Sequence, residues 1–194
     1  MAVLVIAGSG RSAGKTAVGC ALVRALEELC WTAVKVTPHL HGGDPVWEEL
    51  DTNSPKDTGR YLAAGAKRAY LLEGSIPLDA VLANLAVVRD RDCPGGGFLI
   101  ESNRVPPEWI ASHGERTLCL ALLRGPSCDW KSSLWERAAR ANALVLTGGY
   151  CCDELPLEFR GKRVFQMIPG HWSSPELVCF VRRELISLTP NRPS

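Results

Sequence analysis

Val3-Leu-Val-Ile-Ala-Gly8-Ser-Gly-Arg-Ser-Ala-Gly14-Lys15-Thr16 is the stretch from which the fold of this chain can be read. A short apolar strand runs into a glycine-rich turn, and Gly-Lys-Thr opens a helix that continues through Ala17-Val-Gly-Cys-Ala-Leu-Val-Arg-Ala-Leu-Glu-Glu-Leu29. That order suits a nucleoside triphosphate. Backbone N–H groups of the turn wrap the phosphates, and the helix N-terminus adds the positive end of its dipole. Lys15 is placed to reach the β- and γ-phosphates, and the Thr16 hydroxyl to join Mg²⁺. The spacing departs from the commonest form of this loop. Ser9 stands where glycine is usual and Gly8 comes one residue early, so the loop reads G-x5-G-K-T. Nucleotide contacts are expected from Gly8, Ser9, Gly10, Arg11, Ser12, Ala13, Gly14, Lys15, Thr16 and Ala17.

The bulk properties fit one α/β domain. A chain of 194 residues can bury one sizeable core, and 46% apolar with 22% charged residues is an ordinary globular balance. A formal net charge of +1 gives no global pull toward nucleic acid or anionic lipid, and no nucleic-acid-binding motif is present. No apolar run approaches a membrane span, and residues 2–7 lack the basic flank of a signal peptide. A soluble, cytoplasmic protein is expected, with no nucleic-acid or membrane partner. Its eight cysteines include no C-x-x-C pair, so most read as small buried hydrophobes kept reduced. The adjacent Cys151 and Cys152 read as a loop after a strand.

Further along, apolar strands alternate with helices. Strands are expected at 2–7, 32–37, 68–72, 98–100, 117–123, 143–147 and 163–168. Helices are expected at 15–30, 57–66, 78–89 (apolar on most faces), 106–110, 130–141 and 175–185. Residues 38–56, with three prolines, Gly42-Gly43 and several acids, read as one long loop. Near-continuous apolar strands of this kind imply a parallel sheet covered on both faces. A single domain is expected over residues 1–188, with a flexible tail at 189–194.

Ligands in such sheets bind outside the C-terminal strand ends, and the chemistry-bearing residues collect there. Glu101 ends the strand Phe98-Leu-Ile100, a position from which a carboxylate holds Mg²⁺ or polarises a water. Lys35 lies inside an apolar strand, where it either snorkels to the edge or reaches phosphate or substrate. Asp51, in the long loop, is a candidate for the metal shell alongside Thr16 and Glu101, with Asp44 a weaker one. Asp57 reads as a helix cap. Thr147 and Pro169 follow later strands and are candidate nucleotide contacts, as are Tyr150 and Trp172 for the base. His39 and His41 have metal-pair spacing without an evident third ligand, and His113 and His171 form no pattern. Without an Asn-Lys-x-Asp segment, ATP and GTP cannot be told apart.

With these residues in view, the chain resembles the dethiobiotin synthetase / molybdopterin-guanine dinucleotide biosynthesis protein B (MobB-like) branch of P-loop proteins. The G-x5-G-K-T loop, Ala33-Val-Lys35-Val-Thr37-Pro38 and Phe165-Gln-Met-Ile-Pro169 resemble dethiobiotin synthetases. Lys35, His39, His41, Asp51, Lys56-Asp57-Thr58 and Ala64-Gly65-Ala66 resemble the molybdopterin-related protein. Glu101 matches the strand-end glutamate of both, although Ser102-Asn103 follow it where both families usually place glycine. Arg11 stands where the dethiobiotin loop carries an acid.

The resemblance implies a three-layer α/β/α P-loop NTPase fold with a mostly parallel central sheet, and a homodimer. It implies a Mg²⁺-dependent protein that binds ATP or GTP and hydrolyses it slowly. Lys15, Lys35 and Glu101 would be its catalytic residues. A cofactor-biosynthesis partner protein or a small acidic substrate would complete the reaction. The alternatives are an ATP-dependent ligase resembling dethiobiotin synthetase, or a non-catalytic module switched by its nucleotide.

Overall fold

A computed structural model describes residues 2–10, 12–40, 44–74, 77–103, 105, 116–127, 130 and 132–186. Among them, β1 (Ala2–Gly8), β2 (Thr32–Thr37), β3 (Val46–Glu49), β4 (Arg68–Glu73), β5 (Phe98–Glu101), β6 (Arg116–Arg124), β7 (Ala143–Thr147) and β8 (Arg163–Gln166) form one eight-stranded sheet, in the order β3-β4-β2-β5-β1-β6-β7-β8. All neighbouring pairs are parallel except β3 with β4. The helices are α1 (Lys15–Ala25), α2 (Asp57–Ala63), α3 (Leu78–Asp92), α4 (Ser132–Arg140) and α5 (Pro175–Ile186).

The two faces of the sheet take alternate residues of each strand, as the pleat requires. Leu4, Ile6, Ala33 and Leu99 pack under α1, α2 and α5, against Val18, Leu22, Tyr61, Phe180 and Val181. Val3, Val5, Val34, Phe98 and Ile100 face the other way, toward Leu82 and Leu85 of α3 and Leu134 and Ala138 of α4. The sheet is therefore the middle of three α/β/α layers, mostly parallel as expected. Because β1 is buried along its whole length between β5 and β6, the loop that follows it emerges at the centre of the sheet's C-terminal rim.

Three expectations change. The long loop at 38–56 contains β3, an antiparallel edge strand whose Val-Trp-Glu-Glu lacks a period-two apolar pattern. Its Glu49 is nonetheless buried and accepts a hydrogen bond from the Thr58 hydroxyl at 3.2 Å. The helix at 78–89 runs on to Asp92 and is apolar on one side only; Val87 is exposed while Leu82 and Leu85 are buried.

The cysteines do not all stay apart and reduced. Cys30 and Cys93, 63 residues apart, form a disulfide with Cα atoms 6.2 Å from each other, joining the end of the first helical segment to the end of α3. Cys20 and Cys119 are buried, and burial raises both thiol pKa values, Cys119 to about 11. Cys151, Cys152 and Cys179 are exposed. The expected helix at 106–110, the tail, Arg11, His41, His113 and Cys128 lie outside the described residues. Among the described residues no helix is long and apolar enough to cross a membrane.

Candidate phosphate and metal site

The loop after β1 is fastened to the sheet at both ends. Asn103 grips its start from both sides: the Gly8 N–H donates to Asn103 Oδ1 at 2.8 Å, and Asn103 Nδ2 donates to the Gly8 carbonyl at 2.9 Å. Ser9, the substitution for the usual glycine, has a role of its own. Its N–H donates to the Leu122 carbonyl at 2.9 Å, and its hydroxyl accepts the Arg124 N–H at 3.1 Å. The Arg124 guanidinium crosses to the Ser12 carbonyl at 2.7 Å, holding a non-glycine residue at φ 64°. From β7, the buried Thr147 hydroxyl donates to the Ala13 carbonyl at 2.9 Å. Gly14, at φ 88°, turns the chain into α1. A side chain there would meet the Trp172 ring at 2.5 Å, so glycine is required twice over, by the backbone and by the indole.

At the mouth of this loop the amine of Lys15 bends back and donates to the Gly10 carbonyl at 2.7 Å. Burial depresses its pKa below the usual lysine value, opposed by the Glu101 carboxylate and reinforced by the nearby Lys35 charge. Burial thus disfavours the charged amine, and an anion beside it would favour that form.

Thr16, the second residue of α1, donates its hydroxyl to Glu101 Oε2 at 2.7 Å. Both are buried. An unpaired buried carboxylate costs several kcal/mol, and this one has further partners. Tyr61 Oη, from α2, donates to the same oxygen at 2.9 Å, and Lys35 Nζ lies 3.7 Å from Oε1. Lys35 and Glu101 are directly opposite each other in the β2–β5 register, so adjacent strands bring this pair together. Lys35 also pairs with Asp57 in the first turn of α2, which Arg60 approaches at 3.3 Å. Burial first, and then the charge of Glu101, push the Tyr61 pKa well above its usual value, so Tyr61 remains a donor.

The expected site residues divide accordingly. Lys15, Thr16, Lys35 and Glu101 come together. Thr147 supports the loop backbone, and Pro169 lies exposed beyond β8 on the same rim. Asp51 lies in an exposed turn, where its Oδ1 accepts the Asn53 N–H at 2.8 Å. Asp57, read as a helix cap, lies one residue inside α2 and serves as the partner of Lys35, with Lys56 in the cap position. Tyr150, a candidate for the base, is buried and donates its hydroxyl to the Glu154 carbonyl at 2.8 Å.

Three residues were missed by the sequence reading: Tyr61, Asn103 and Arg124. Asn103 carried a direct signal, as the departure after Glu101. Tyr61 had an indirect one, Gly19 in the interior of α1. A Cβ on Gly19 would lie 2.6 Å from the Tyr61 hydroxyl.

The donor set, a threonine hydroxyl touching a carboxylate beside a phosphate-binding loop, is of the hard-oxygen kind that Mg²⁺ takes. Thr16 and Glu101 fit that ion.

No family model matches the chain, and no curated protein matches it. Solved structures do. HypB from Helicobacter pylori, in complex with nickel, superposes with a TM-score of 0.58 at 11% identity over 96% of this chain and 86% of that one. MobB from Bacillus subtilis gives 0.52 at 18% identity over 95% and 98%. LpxK from Aquifex aeolicus, in an "apo" form in complex with ATP, gives 0.52 at 14% identity over 87% of this chain but only 54% of that one. At such identities the likeness is one of architecture, and with the loop geometry above it establishes that the chain has the P-loop NTPase fold.

Proposed function

We propose that the chain is a Mg²⁺-dependent ATP- or GTP-binding protein that hydrolyses its nucleotide slowly, resembling the molybdopterin-guanine dinucleotide biosynthesis adaptor. The observation that carries this reading is the Lys15–Thr16–Glu101 constellation, set on a loop held by side chains at Gly8, Ser9, Ser12 and Ala13. In this reading the loop N–H groups and Lys15 neutralise the phosphates. Thr16 and Glu101 hold the metal, which supplies charge stabilisation at the terminal phosphoryl group. Tyr61 fixes the Glu101 carboxylate and keeps one of its oxygens occupied. Lys35 adds positive charge on the γ-phosphate side. Catalysis is then positioning and electrostatics, without a covalent intermediate. A homodimer, a cytoplasmic address and a cofactor-biosynthesis partner belong to the same proposal.

Titration calorimetry with Mg·ATP and Mg·GTP tests it. Wild type binds at least one of them, and K15A loses most of that affinity. Equal affinities for wild type and K15A refute the assignment.

One observation favours a second reading, an ATP-dependent ligase resembling dethiobiotin synthetase. The Lys35–Asp57 pair stands beside Glu101 with both side chains about a quarter exposed, so that Lys35 is accessible to a small acidic substrate. Phosphate release strictly dependent on a small amine plus bicarbonate selects the ligase. A slow basal rate that responds to a partner protein selects the adaptor.

A further inference from the structure

We propose that Trp172 is the stacking face for the nucleobase, and that the site accepts purine nucleotides through this ring without reading their edges. The inference rests on the nucleotide reading above and adds the place and manner in which the base is held.

Polarity along the sheet sets the direction of the nucleotide. Lys15, Lys35 and Glu101 lie on the β1, β5 and β2 side of the loop. Lys15 and Lys35, together with a Mg²⁺ that Thr16 and Glu101 would hold, attract the most highly charged end of a triphosphate. The ribose and base must then extend the opposite way, across the rim of β6, β7 and β8. Thr147, which ends β7 and bonds the Ala13 carbonyl, marks the path.

At the end of that path the segment after β8 turns at Gly170, at φ 86°, and brings Trp172 back over the loop. The six-membered ring of the indole lies against Gly14. A Cβ built there would be 2.5 Å from Cζ3, 3.1 Å from Cε3 and 3.5 Å from Cη2. Trp172 is nonetheless 40% exposed, and Ile168, at the start of the same segment, is 70% exposed. A large aromatic ring that touches the phosphate loop at its Cζ3–Cε3 edge and stays 40% exposed offers a face for stacking. Tyr150, the competing aromatic, is buried with its hydroxyl occupied. The chain contains no Asn-Lys-x-Asp segment to read guanine. Stacking tolerates every base, because each presents a π-face.

The test separates base from phosphate. Calorimetry with Mg²⁺ compares ATP, GTP and inorganic tripolyphosphate on wild type, W172A and W172F, with thermal melts to confirm folding. W172A should weaken ATP and GTP alike, by about 5- to 150-fold, the range for loss of one base–aromatic stack. Tripolyphosphate should bind it as it binds wild type, and W172F should keep most of the nucleotide affinity. Equal weakening of tripolyphosphate and ATP shows that the ring only supports the loop, and overturns the proposal. So does unchanged ATP affinity in folded W172A, or a loss confined to one base. If wild type binds tripolyphosphate but ATP no more tightly, the base platform fails while the phosphate site stands. If it binds neither, the nucleotide reading fails and takes the platform with it.

Discussion

Replacing Gly19 by alanine sets two physical effects against each other with opposite signs. Gly19 lies inside α1, where glycine is about 0.8–1 kcal/mol less favourable than alanine. Propensity alone therefore makes G19A stabilising, and for a chain of this size raises Tm by about 2–4 °C. The structure makes the opposite demand. An added Cβ would lie 2.6 Å from Tyr61 Oη and 2.8 Å from its Cε1, and Tyr61 is fully buried with no solvent to retreat into. Overpacking of this kind costs about 1–3 kcal/mol. Displacing the hydroxyl also breaks its 2.9 Å bond to the buried Glu101 carboxylate, a charged hydrogen bond worth about 1.5–3 kcal/mol. Even after the propensity gain is subtracted, the net loss is about 2–5 kcal/mol, or roughly 4–20 °C in Tm. Scanning calorimetry on wild type, G19A and Y61F measures it. Y61F, which removes the bond without adding bulk, should lose about 1.5–3 kcal/mol. A G19A melting point equal to or above that of wild type would mean that Tyr61 does not occupy the space beside Glu101, and the account of how the carboxylate is held would be wrong.

Two further predictions rest on other parts of the molecule. The Cys30–Cys93 bond closes a loop spanning 63 residues, so on the chain-entropy estimate C30S/C93S loses about 4 kcal/mol, roughly 8–16 °C in Tm. Denatured, unreduced wild type should show two fewer free thiols than reduced protein, and equal thiol counts refute the bond. The depressed Lys15 pKa has a sign that can be checked. Below the ordinary value of 10.5 there is a window in which the unfolded chain keeps the proton and the free folded protein gives it up. Through this group stability rises with pH in that window, while affinity for a triphosphate falls. Calorimetry in buffers of different ionisation heat should detect proton uptake on binding there for wild type and none through this group for K15A.

The parts of the fold legible in the sequence were those decided by local pattern. The parts that escaped were decided by what lies opposite in space. The strand Ala143–Thr147 and the parallel sheet follow from apolar runs long enough to be buried on both faces. The β3 strand escaped because its inward-facing residues include Glu49, which is buried only because Thr58, from another element, satisfies it. The site divides in the same way. Lys15, Thr16 and Glu101 are visible because a strand, a turn and a helix in series place them, and Lys35 because a charge inside an apolar strand needs a reason. Asp57 was read as a helix cap; both it and Asp51 lie near the start of α2, and the cross-sheet position of Lys35 decides that Asp57 is the carboxylate it meets. The same reasoning accounts for the two irregularities of the loop. Ser9 carries the hydroxyl that accepts the Arg124 N–H, and Asn103 carries both a donor and an acceptor for Gly8, pairings that neither glycine nor an acid supplies. The longer loop is thus stitched to the ends of β5, β6 and β7 by side chains, where a shorter glycine-rich turn relies on backbone alone. These anchors, at Gly8 and Ser9 on one side and Ser12 and Ala13 on the other, fix both ends of the segment that carries the extra residue.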